Sequence, residues 1–80
     1  MEYEVLVQLK GEVLDPEGRA IHETLKSQGI SGIDGVTVAK RYVISISKDT
    51  PNAEATVKDI AARYLANPVA QTFQIKRLSP

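Results

Sequence analysis

Between Val36 and Lys48 the chain has no Gly, Pro, Asn or Asp, and Val36, Val38, Tyr42, Ile44 and Ile46 all fall on even positions. Side chains of a strand alternate faces at period two, so this run reads as one strand with a single apolar face. A two-residue hairpin at Lys40-Arg41 would set Val38 opposite Val43 and put Val36 and Val38 on the other face from Ile44 and Ile46. The parity therefore favours one long strand over residues 36–47, bent or bulged near Ala39-Lys40. A bulged three-residue connection that splits the stretch in two is the alternative. Twelve residues is about twice an ordinary strand. In a small sheet part of that length lacks a partner inside one chain, and an unpaired edge invites a second chain.

The rest of the chain is easier to divide. Tyr3, Val5, Val7 and Leu9 alternate with Glu4, Gln8 and Lys10, which describes a strand with one buried face; Leu6 interrupts the polar side. Asp15 followed by Pro16 starts a helix, because a carboxylate caps free N–H groups and proline fits the first helical position. Ile21, Thr24, Leu25 and Gln28 give it a thin inward side, and Gly29 stands where a left-handed cap ends it, so it spans about 16–28. Thr50-Pro51 begins a second helix whose apolar face is Ala53, Val57, Ile60, Ala61, Tyr64 and Leu65, and Asn67-Pro68 ends it. Phe73 and Ile75 mark a short last strand. The order β-α-β-α-β, with the long strand in the middle, predicts an α+β two-layer sandwich with two helices on one face of a small sheet.

Eighty residues suffice for one domain, taken as residues 1–80, that is marginal alone and in need of self-association. Ten basic and ten acidic residues cancel, which removes the electrostatic footprint of a nucleic-acid binder. No apolar run approaches a membrane span, and Met1-Glu2 lacks a signal peptide's basic flank. A cytoplasmic protein that binds neither nucleic acid nor membrane is expected.

Cysteine is absent and His22 is the single histidine, so neither a thiolate metal site nor thiol catalysis is available, and His22 reads as a solvated helix residue. Gly29, Gly32 and Gly35 match neither dinucleotide nor P-loop spacing and precede a strand, which makes a plain loop of left-handed positions. Glu17, Glu23, Glu54 and Asp59 suit solvated helix faces. Lys40-Arg41-Tyr42 is the one basic and aromatic cluster, and edge charges of this kind guard against aggregation. No catalytic site and no cofactor are expected.

Two phrases carry more. Val13-Leu14-Asp15-Pro16-Glu17-Gly18-Arg19-Ala20 and Tyr64-Leu65-Ala66-Asn67-Pro68-Val69 resemble the PurS family, the small subunit of phosphoribosylformylglycinamidine synthase. Leu25, Gly29, Val36 and Lys40 fall where that family's pattern places them, and the similarity runs from about Glu4 to Ile75. Ala39 departs from a usual glycine, and Ala70-Gln71-Thr72 replaces a commonly acidic segment. The resemblance implies a non-catalytic assembly subunit of de novo purine synthesis. It would bridge an ATP-dependent large subunit, PurL, and a glutaminase subunit, PurQ, as a homodimer or dimer of dimers. Residues expected at such interfaces are Leu14, Asp15, Pro16, Gly18, Asn67 and Pro68 of the two phrases, with Lys40, Arg41, Tyr42 and Ile44 of the long strand. A different class of reading is a ferredoxin-like regulatory domain that senses a small molecule through the 29–35 loop. A hydrolase would need Arg19 or Arg41 beside Asn52 or Asn67, and nothing in the sequence aligns them.

Overall fold

The computed structural model describes residues 1–11 and 15–79, and along them the elements are β1 (Glu2–Leu9), α1 (Pro16–Ser27), β2 (Ala39–Ser45), α2 (Ala53–Ile60), a π-helical segment (Ala61–Leu65) and β3 (Gln71–Arg77). This is the expected α+β order. The strands form an antiparallel sheet in the order β2-β1-β3, with Val5 opposite both Tyr42 and Ile75. The first strand is therefore the central one in space, and β2 and β3 are both edges.

Alternation in β1 sends Tyr3, Val5 and Val7 to one face, where they are buried against Ala53, Val57, Ala61 and Ala66. Tyr42 and Ile44 from β2 and Phe73 and Ile75 from β3 flank that core. The even parity read from the sequence is thus the inward face of β2. Its length is not as expected. A single strand runs from Ala39 to Ser45, no hairpin divides it, and all of it pairs with β1 from Gln8 to Glu2. The amino group of Met1 and the N–H of Ile46 continue the ladder, each donating to the other residue's carbonyl. Unpaired length is therefore no ground for a second chain over 39–46; what remains open is the outer edge of β2.

The second helix begins at Ala53, after Asn52 in the left-handed region (φ 52°), slightly later than Thr50-Pro51 suggested. At Ala61 it widens, and the Ala66 N–H donates to the Ala61 carbonyl five residues back at 2.9 Å. A π turn holds one residue more than an α turn and shifts the phase of the side chains. Ala61 stays buried and Leu65 half-buried, but Tyr64, expected on the apolar face, is 76% exposed.

Both expected helices are present, and they differ in how they sit on the sheet. Among the described residues only α2 and its π continuation cover the sheet; α1 supplies no residue to the core, and Gly18 is its one buried residue. Ile21, with Ile30 and Ile33 beyond the helix, is left exposed. The reason is in the pattern: two large aliphatic residues in twelve, Ile21 and Leu25, offer too little apolar area to hold a helix on a sheet. The radius of gyration is 16.3 Å, against about 12 Å for a compact domain of this length.

Candidate functional site

Asp15 accepts a backbone N–H at each of its two carboxylate oxygens. Its Oδ1 accepts from the Gly18 N–H at 2.9 Å, capping α1 above Pro16 in the first turn. Its Oδ2 accepts from the Val38 N–H, also at 2.9 Å, one residue before β2. These two N–H groups, Gly18 first and Val38 second, hold the Asp15 pKa below the ordinary carboxylate value against a smaller opposing push from desolvation. Gly18 lies so close to the returning chain that a Cβ would stand 2.2 Å from the Val36 carbonyl oxygen. Further along, His22 Nε2 is 2.9 Å from the Ile33 carbonyl oxygen. The histidine expected to be solvated is thus a third tie between α1 and residues 33–38.

The cluster Lys40-Arg41-Tyr42 is divided by strand alternation. Lys40 is exposed at the end of the inward row, Tyr42 is half-buried beside the core, and Arg41 on the outer face pairs with Glu4 at 2.6 Å. Ile44 is half-buried against the core. Met1 and Ile46 form a mutually bonded pair, so the bonded pairs along β1–β2 are the odd residues of β1 with the even residues of β2. Arg41, Val43 and Ser45 consequently turn their N–H and carbonyl groups outward, to the open edge. On that outer face Val43 is 44% exposed and Leu6 half-buried.

Asn67 and Pro68 close the helix layer and lead into β3 at the same end of the sheet as the Asp15 corner, where Gln71 and Ala39 stand opposite Leu9 and Gln8 of β1 and the Lys10 N–H donates to the Ala70 carbonyl at 2.9 Å. The Asn67 side chain accepts from the Val69 N–H at 2.9 Å, its carbonyl accepts from the Gln71 N–H at 2.7 Å, and its N–H donates to the Gln71 side chain at 2.7 Å. The turn is tied at every polar atom of Asn67 that those bonds use, and it displays Val69, 81% exposed, near Tyr64 in sequence. Ala62, Ala66, Pro68 and Phe73 line a shallow cavity of about 330 Å³ there. Of the expected interface residues, then, Asp15, Pro16 and Gly18 meet at one corner, Lys40 of β2 lines a cavity with Asp15 and Pro16, Arg41, Tyr42 and Ile44 continue along β2, and Asn67 and Pro68 reach that cavity through Gln71, to which Asn67 is bonded. Leu14 lies outside the described residues.

The hydrolase arrangement is not assembled: Arg19 pairs with Glu23 and Arg41 with Glu4, while the Asn67 side chain is spent on its own turn. Residues 29–35 are exposed throughout, with Gly29 and Gly32 at positive φ as a loop reading requires. The sequence reading missed the ties at Gly18 and His22. A signal for the first was present, since a glycine inside a helix asks for a packing reason; the second needed the path of the return segment.

The family model for PurS, phosphoribosylformylglycinamidine (FGAM) synthase, matches residues 2–79. This chain belongs to the PurS family. The PurS subunit of phosphoribosylformylglycinamidine synthase from Mycobacterium leprae is 37% identical over 75 residues, 94% of this chain and 92% of that one. The crystal structure of PurS from Methanocaldococcus jannaschii, a subunit of formylglycinamide ribonucleotide amidotransferase in the purine biosynthetic pathway, superposes with a TM-score of 0.83 at 31% identity, covering 94% and 92% of the two chains. A chain of the PurLQS structure from Thermotoga maritima shares the fold, with a TM-score of 0.73 at 20% identity over 96% and 95%. The PurS assignment makes the chain a subunit of FGAM synthase in purine biosynthesis, and the β-α-β-α-β fold is that of the family. No described helix is long and apolar enough to cross a membrane.

Proposed function

We propose that this chain is an assembly subunit without a catalytic site of its own, self-associated through the outer edge of β2 and the uncovered side of α1, and acting in the cytoplasm. It joins an ATP-dependent large subunit to a glutaminase subunit so that ammonia released at one reaches formylglycinamide ribonucleotide at the other. Membership of the PurS family carries the reading, and the Thermotoga maritima relative is itself part of a PurLQS structure. The surface of the chain supports it. Its accessible area, 5974 Å², is about a quarter above that of a compact monomer of 8.7 kDa, and the excess of roughly 1,200 Å² is larger than the ~800 Å² that one partner buries in an ordinary interface.

Residues 15–18 at the α1 corner, 40–44 on β2 and the 67–68 turn are the contacts proposed. Mixing the purified chain with large and glutaminase subunits and following co-elution tests the reading. A complex containing all three chains is expected. Co-elution of the other two at equal concentration without it, unchanged by its addition, would contradict the proposal.

A further inference from the structure

Asp15 meets Val38, Gly18 meets Val36 and His22 meets Ile33, so a helix running outward is tied to a segment running back. Positions 15, 18 and 22 recur at one turn and lie on one face of α1. The first tie has a special place, because Val38 immediately precedes β2, which is bonded to β1 along its whole length. Whatever fixes Val38 to the start of α1 fixes the helix to the sheet. Among the described residues α1 adds none to the core, so no core packing of the helix duplicates this tie.

We infer that residues 15–38 form one stiff arm and that the Asp15 carboxylate, bridging Gly18 and Val38, is the clamp that sets its angle to the sheet. Asp15 is a positioning residue in this role. One oxygen caps the helix, and the other spans twenty-three residues to the corner of the sheet. The two tasks separate chemically. Serine at position 15 keeps an N-cap oxygen for Gly18 but has no second oxygen for Val38. Proline at position 38 deletes the donor and leaves the cap untouched. The arm presents Ile21, Ile30 and Ile33, all more than 40% exposed, so the clamp determines where that apolar surface points. The inference does not depend on what the arm touches.

The chain contains no cysteine, which makes paired labels straightforward. Spin labels on Gln28→Cys at the arm's end and Gln74→Cys on the outer face of β3, diluted with unlabelled chain, report the angle as a distance distribution. The expected result is one narrow peak in the otherwise unaltered chain. That peak should be lost in both Asp15→Ser and Val38→Pro, with the helix signal in circular dichroism unchanged. His22→Ala should keep it, because its tie lies within the arm. A peak that stays narrow in both clamp variants would overturn the inference. So would broadening accompanied by a matching loss of helix signal, since loss of the cap then suffices as the cause.

Discussion

At the scale of single residues, Gly18 and Asp15 decide the geometry of one corner. Alanine is favoured over glycine inside a helix by about 1 kcal/mol, so Gly18→Ala should stabilise an isolated α1. In the folded chain the added methyl meets the Val36 carbonyl oxygen at 2.2 Å and the Asp15 carboxylate at 2.7 Å, and neither yields without opening the clamp. The net effect should be destabilising, read as a lower melting temperature; an increase would show that the return segment gives way freely. Asp15 makes the same corner sensitive to acid. Its folded pKa lies below the unfolded value, so its contribution is complete above pH about 4 and is lost as pH falls through the lowered folded value. The Val38 amide resonance should titrate with that lowered midpoint, and Asp15→Asn should abolish the titration. Val57, fully buried over β1, represents the other end of the range: Val57→Ala removes two carbons and leaves a cavity, at a cost of about 2–3 kcal/mol in urea denaturation.

At the scale of elements, what the sequence disclosed follows what neighbours in the chain determine. Even parity from Val38 to Ile46 predicted the inward face of β2, and Asp15-Pro16 with Gly29 bounded α1 to within a residue. The Asn67-Pro68 stop was equally legible. Strand order was not, because alternation says which face is buried and never which neighbour pairs. Nor was the π turn, whose extra residue rotates Tyr64 outward while leaving the apolar spacing intact on paper. Of the site, Asp15, Pro16 and Gly18 were marked, whereas the His22 tie joins positions eleven residues apart through a loop of no periodicity. The open edge supports a sharper prediction. The Val43 N–H faces outward and the Ile44 N–H faces β1, so Val43→Pro should weaken self-association while Ile44→Pro unfolds the sheet. Light scattering and near-ultraviolet circular dichroism separate the two; a Val43→Pro chain that associates like the unaltered one would exclude the β2 edge as the contact.

For the whole molecule, the governing fact is a thin body of 53 × 26 × 14 Å with a single helix layer, two strand edges and an arm that adds nothing to the core. Such a body has little interior with which to enclose a substrate, but much surface to share. The role we propose is that it holds the catalytic chains near one another, which raises the effective concentration of each for the other. Ammonia made at a glutaminase site is useful to the synthase only if it arrives before it escapes. The most direct measurement is amidine formation by dilute, equimolar large and glutaminase subunits, with and without this chain, driven either by glutamine or by high added ammonia. Glutamine-driven activity should require the chain, and ammonia-driven activity should depend on it far less. Full glutamine-driven activity in its absence would contradict the account.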